Sequence, residues 1–151
     1  MKKRWMAVAL TAILLMAVGG AIGTVSVRQE SANVYDLYFV ERNLRAASGG
    51  DALRAEERAL SGGADSTAQQ AEALMAELLK GPVDQTLKSP FPKGTGLNSV
   101  EQKGTEIHVD FSAVYGTLSG MDLTLADYAV TMTLAQLPDV ARVRITVAGN
   151  N

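Results

Sequence analysis

Between residues 5 and 27 the chain carries no charged side chain, and Lys2, Lys3 and Arg4 stand directly in front of that run. About 20 apolar residues in a helix cross a hydrocarbon layer roughly 30 Å thick. A basic flank stays on the cytoplasmic side and sends the rest of the chain outward. Residues 1–27 are therefore expected to form an N-terminal transmembrane anchor. A cleaved signal peptide is the competing reading, because Ala21-Ile22-Gly23 offers small residues at suitable spacing. The run is, however, longer than a usual signal core and has no sharp cleavage site. Either way the remainder is exported: a single-pass cell-membrane protein with an extracytoplasmic C-terminal domain at 34–149. The 28–33 linker, at no more than about 3.5 Å per residue, holds that domain within roughly 20 Å of the membrane.

The exported part is long enough to bury a core without disulfides or metals. It has no cysteine, which removes thiolate metal sites, cysteine nucleophiles and lipoprotein-type acylation together. Beyond residue 27 there are 11 Lys/Arg against 16 Asp/Glu, a net charge of −5. That sign opposes nucleic acid, whose phosphates are bound by basic side chains, so no nucleic-acid partner is expected.

Alternation marks the strands. Tyr35, Leu37 and Phe39 alternate with Asp36 and Tyr38, giving a first strand. The turn-forming cluster Ser48-Gly49-Gly50-Asp51 precedes a segment that fits a short strand or a helical turn and is read here as a second strand. Ser66 and Gln69 make a capping box ahead of a helix of about 14 residues, with Ala71, Leu74, Met75, Leu78 and Leu79 as its apolar stripe. Lys80, Gly81 and Pro82 end it. Lys103-Gly104 turns a hairpin whose second strand alternates Ile107, Val109 and Phe111 with Glu106, His108 and Asp110. A second helix is predicted over 124–137, with Leu123, Ala126, Val130, Leu134 and Leu137 on its inner side. Val143, Ile145 and Val147 face inward from a final strand, with Arg142, Arg144 and Thr146 outward. The order β(β)αββαβ predicts an α+β, two-layer sandwich: one mixed sheet of four to five strands with both helices on one face. Its other face stays open and carries Glu106, His108, Arg142 and Arg144.

The chemistry-bearing residues do not assemble an active site. Lys93-Gly94-Thr95 reverses the order of a phosphate loop and leads into a strand, and Lys80-Gly81 lies where a helix dipole repels anions. His108, the only histidine, sits between Glu106 and Asp110, but neighbours two apart on a strand lie near 7 Å and do not by that spacing form a dyad. The segment from Gly116 to Gly120 lacks the spacing of a nucleophile elbow. Glu56, Glu57 and Arg58 read as a salt-bridged surface, and Met75 and Met132 as core fillers. No catalytic residue, cofactor or metal is expected.

Several stretches then line up with a known family. They are Leu37-Tyr38-Phe39, Glu57-Arg58, Leu78-Leu79-Lys80-Gly81-Pro82, the run Pro92-Lys93-Gly94-Thr95-Gly96-Leu97-Asn98-Ser99-Val100, Val109-Asp110-Phe111-Ser112, Thr133-Leu134-Ala135-Gln136-Leu137-Pro138-Asp139-Val140, and Val143-Arg144-Ile145-Thr146-Val147-Ala148-Gly149. In this order they resemble the GerMN domain, the sporulation and spore germination domain of exported bacterial proteins. The resemblance covers 34–149 and implies a non-enzymatic envelope module, here a single copy on a membrane anchor. Its expected partners are other cell-envelope or sporulation proteins, with self-assembly as a further option, and the membrane through the N-terminal helix. The expected contact surface is the open face with Glu106, His108, Arg142 and Arg144. A peptidoglycan-binding module is the alternative, although few aromatic residues are at hand to stack on sugars. A small hydrolase acting through His108 and Asp110 is a third reading.

Overall fold

The computed structural model describes residues 33–43, 51–60 and 65–150. The expected anchor at 1–27, nearly all of the linker, and most of the Ser48-Gly49-Gly50-Asp51 turn lie outside the described residues. Among the described residues no helix is long and apolar enough to cross a membrane.

Strands β1 (Asn33–Glu41) and β2 (Leu53–Leu60) come first, followed by helix α1 (Thr67–Lys80). Next are the short β3 (Leu87–Lys88) and the hairpin β4 (Leu97–Lys103) and β5 (Glu106–Phe111). A 3-10 turn at Tyr115–Thr117 leads into α2 (Gly120–Leu134), and β6 (Arg142–Val147) closes the chain. The α+β class and both helices hold. The single sheet does not: the strands form two three-stranded sheets, ordered β2-β1-β3 and β4-β5-β6. In the first both pairings are antiparallel; in the second β5 pairs antiparallel with β4 and parallel with β6.

The division has a local cause. β3 covers only the end of β1, at Val40 and Glu41. Further back, the Gln136 amide accepts from Asp36 N–H at 2.9 Å and donates to Asp36 C=O at 2.6 Å. Thr133 Oγ1 accepts from Tyr38 N–H at 3.3 Å. Two side chains from α2 and the turn after it thus stand where another strand would bond, and satisfy an edge that must otherwise find partners.

The capping box forms as expected. Ser66 Oγ accepts from Gln69 N–H at 3.2 Å, and Gln69 Oε1 accepts from Ser66 N–H at 3.2 Å. At the other end Gly81 takes φ 89°, open to glycine at no steric cost, and its N–H closes on Leu78 C=O at 3.2 Å. α1 turns Ala71, Leu74, Met75 and Leu78 inward and lies against β4 and β1. α2 lies along β1 and reaches β6. Leu37 and Phe39 of β1, Ile107, Val109 and Phe111 of β5, and the inner faces of both helices make one core. Tyr115 stacks on Phe111 at 4.6 Å, with Phe91 tilted against both. Leu74 is fully enclosed, so Leu74→Ala costs about 2–5 kcal/mol.

The second helix starts four residues earlier than the pattern suggests and ends at Leu134. Past it the chain tightens, with Leu137 N–H bonding Leu134 C=O at 3.0 Å, and this keeps Leu137 buried outside the helix. Met75 is core, but Met132 is not: it is 38 % exposed, because the buried side of α2 is the row Ala126, Ala129, Val130, Thr133 and Leu134.

Candidate functional site

The hairpin brings the outward residues of the second sheet into rows. Gly104, at φ 63°, and Thr105 form a two-residue turn, which sets Lys103 opposite Glu106, Glu101 opposite His108 and Ser99 opposite Asp110. The parallel neighbour β6 adds Arg142 beside Glu106, Arg144 beside His108 and Thr146 beside Asp110. All four residues expected on the open face are therefore adjacent.

Glu106 is the hub. Its Oε1 lies 2.5 Å from His108 Nε2 and accepts from Arg144 Nε at 3.0 Å, while Oε2 is 3.9 Å from Arg142 Nε. The spacing argument against a Glu106–His108 contact is thus corrected: backbone positions two apart leave room for two long side chains to lean together. The Arg144 hydrogen bond, and then His108, hold the Glu106 carboxyl below the usual carboxylate range. The other ring nitrogen of His108, Nδ1, faces Lys103 Nζ at 3.5 Å, and Lys103 in turn pairs with Glu101 at 3.3 Å.

Asp110 is held differently. Its Oδ1 accepts from Thr146 Oγ1 at 2.6 Å and Gly149 N–H at 2.8 Å, and its Oδ2 accepts from Asn98 Nδ2 at 2.7 Å. Thr146 first, then Asn98 and Gly149, lower its carboxyl from the ordinary value. Asn98 also donates to Phe111 C=O at 3.0 Å. Asp110 therefore ties β4, β6 and the final turn to β5, a role its place beside His108 in the sequence does not reveal.

Between these hubs lies a shallow concavity of about 390 Å³, lined by Ser99, Lys103, His108, Asp110, Arg144 and Thr146 among others. It offers both charge signs at fixed positions, and its histidine nitrogens face a carboxylate and an ammonium, not a hydroxyl. Among the described residues no group of three or more His, Asp or Glu is placed to hold a metal ion. The arrangement places charges of both signs at a solvent-open surface.

Sequence reasoning missed Lys103, Asn98, Thr146 and Gly149. The Lys103-Gly104 turn held the signal for Lys103, since a two-residue loop fixes cross-strand register. The register of β6 had no such signal, because a whole helix separates it from β5.

The other charged cluster is structural. Arg58 on β2 donates to Glu56 at 2.6 and 2.8 Å, pairs with Glu77 of α1 at 3.3 Å, and donates to Gly81 C=O at 3.0 Å. Glu56 accepts from the N–H groups of Val83 at 3.0 Å and Asp84 at 2.8 Å. The salt-bridged reading of this segment holds, with Glu57 facing the other way from its neighbours on the strand.

A family model described as sporulation and spore germination (Germane) matches residues 36–151. Among solved structures, the chain is similar to the first GerMN domain of the sporulation protein GerM from Bacillus subtilis. The TM-score is 0.59 at 22 % identity, covering 79 % of this chain and 85 % of that one. It is also similar to the tandem GerMN domains of the same protein, with TM-score 0.57 at 21 % identity over 79 % of this chain and 40 % of that one. At these identities the likeness is one of fold. No curated protein matches the chain.

Proposed function

Because this chain belongs to the Germane family of sporulation and spore germination domains, we propose that it is a non-catalytic, membrane-anchored, extracytoplasmic protein-interaction module of the bacterial cell envelope. Its work is linked to sporulation or spore germination. The contact is made by the open face of β4, β5 and β6, with Glu106, His108, Arg142 and Arg144 at its centre. One observation carries this reading: Glu106 gathers His108 and Arg144 within hydrogen-bonding reach while Arg142 and Arg144 keep much of their side chains exposed, at 77 % and 49 %. Preorganised charges of both signs on a rigid sheet favour register and specificity in a protein contact more than raw affinity. The uncharged run at 5–27 supports the anchor, and the 28–33 linker supports a position close to the membrane.

The test is crosslinking in intact sporulating cells with the full chain tagged. The expected result is recovery of an envelope protein by the natural chain and roughly tenfold less by Arg144→Glu, as rim charge reversal weakens a steered contact. Recovery of no envelope protein, together with a deletion strain that sporulates and germinates normally, would sink the proposal.

The concavity favours a second reading. Its mixed charges, with Lys103 and Arg144 near Glu101 and Asp110, also suit the stem peptides of peptidoglycan. Co-sedimentation of the full chain, in detergent micelles, with purified peptidoglycan would support it, and retention in the supernatant would dismiss it.

A further inference from the structure

α2 is apolar on two sides. Its inner row packs on the core, while Met121, Tyr128 and Met132 are 71 %, 59 % and 38 % exposed. Leu125, half-buried, lies between them. At 100° per residue these four side chains fall within about 60° of one another, on the far side of the helix from Ala126, Val130 and Thr133. A surface helix normally buries its one apolar stripe and turns polar residues to water; a second stripe marks a contact surface.

The geometry points to a second copy of this chain as the occupant, its α2 laid antiparallel against this one. This inference does not rest on the sheet-face reading, since none of its residues belong to that face. The spacing 121, 125, 128, 132 is 4-3-4, the seam that one helix offers another in knobs-into-holes packing. It is also palindromic about a point between residues 126 and 127. A two-fold interface demands a patch that matches itself, and this one does. A two-fold axis there sets Met121 against Met132 of the second copy, and Leu125 against its Tyr128.

Charge agrees with that orientation. Asp122 is the acidic residue of the first helical turn. Parallel helices would bring the two Asp122 side chains together, whereas antiparallel helices put them at opposite ends and set each dipole against its reverse. A lipid surface is a poorer match. Between residues 120 and 134 there is no Lys or Arg to meet anionic headgroups, which interfacial helices generally provide. A 15-residue helix supplies a seam at the small end of specific interfaces. The dimer is therefore weak in dilute solution and favoured where an anchor concentrates the chain in two dimensions.

The absence of cysteine makes the test clean. Full-length chains reconstituted in vesicles are oxidised as Met121→Cys, as Met132→Cys, as the double variant, and as Val83→Cys, an exposed site outside the stripe. Residues 121 and 132 of one helix are about 16 Å apart, too far for an internal disulfide. The expected result is a covalent dimer from the double variant, and from a mixture of the two single variants. It should form at least about tenfold faster than with Val83→Cys, the gain in effective concentration that a formed interface gives. Each single variant alone should match Val83→Cys. Adding Leu125→Lys should abolish the enhancement; its persistence would mean that contacts elsewhere bring the chains together and would overturn the inference. Crosslinking of each single variant with itself would show a parallel seam, and equal rates for all variants would show no seam. Either result overturns the inference. Slow crosslinking of the double variant, with its introduced thiols shielded from a maleimide, would place a lipid surface or another segment on the stripe. That result would overturn it equally.

Discussion

Two clusters in this molecule are built from nearly the same parts and do opposite things. On β2, Glu56 and Arg58 are paired two residues apart on one strand face; on the second sheet, Glu106 is paired with His108 on its own strand and Arg144 on the next. The first cluster is sheltered, with side chains 14 % and 17 % exposed, and it directs its polar groups to backbone: Val83 and Asp84 N–H for Glu56, Gly81 C=O for Arg58. The second bonds to side chains and leaves its arginines open to solvent. A charged cluster that closes on backbone holds the fold. One that closes on side chains, and keeps charge exposed, remains available to a partner.

The strongest way to break this comparison is Arg58→Ala. It leaves Glu56 without its cation, Glu77 with Lys80 alone, and the Gly81 carbonyl just past α1 without its side-chain donor. An unfolding loss of about 2–4 kcal/mol is expected, from a sheltered charge stripped of its partner. Urea denaturation measures it. A loss no larger than that of an ordinary surface substitution would show that the cluster is ornament on a fold already fixed by packing.

Glu56 sharpens the same point through pH. Burial pushes its carboxyl up, but the N–H groups of Asp84 and Val83, and then Arg58, outweigh that and leave it below the ordinary value. A carboxyl lowered in the folded state contributes stability above its unfolded pKa and loses it as pH falls through the lowered folded value. Urea midpoints measured from about pH 7 to about pH 3 should therefore fall on the acid side, and fall less steeply in Glu56→Gln. An unchanged acid slope would mean that Glu56 is bound no better charged than neutral.

The contrast also explains what the sequence made legible. Two stretches that carry the family resemblance, Glu57-Arg58 and Leu78 to Pro82, are distant in the chain but meet through Arg58 and Gly81. Two others meet where Ser112 and Gly96 exchange hydrogen bonds at 2.9 Å, Ser112 Oγ accepting from Gly96 N–H and Gly96 C=O accepting from Ser112 N–H. Such motifs complete backbone bonding, and local rules of capping and turning find them. The bounds of α1, the hairpin and the inward rows were readable on those grounds, whereas the bounds of α2 were not. The split into two sheets was not, because it depends on Gln136 reaching a strand 100 residues away. Nor was the outer stripe of α2, since counting one apolar face at helical spacing sent Met132 inward and gave Met121, Leu125 and Tyr128 no side. The open face was readable as a set of residues, while the Glu106–Arg144 pair and the Asp110–Thr146 tie needed the register of β6, and the Glu106–His108 contact needed side-chain reach that backbone spacing does not give.

Asp110 lies between the two extremes, with one backbone donor and two side-chain donors. Asp110→Asn should cost about 1 kcal/mol, because an amide nitrogen would meet the Asn98 donor, and partial exposure trims the effect. Its acid limb should flatten in the same direction as that of Glu56→Gln, Thr146 being the first cause of the lowered carboxyl. Equal losses for Asp110→Asn and Arg58→Ala would erase the distinction between the two clusters.

The smallest expected effect on folding belongs to Glu106→Gln, and it carries the most about function. Glu106 holds no backbone group; it positions His108 and Arg144 and gives Arg142 a distant counter-charge. Gln keeps the shape and one acceptor but removes the charge that keeps both arginines and the histidine gathered. The melting temperature should fall only slightly, since solvent screens this pairing, while partner recovery in the crosslinking assay should fall toward that of Arg144→Glu, because the cations lose their fixed geometry. A variant that melts several degrees lower would put Glu106 with Glu56 among the groups that hold the fold. One that melts normally and still recovers its partner in full would move the contact surface away from this sheet.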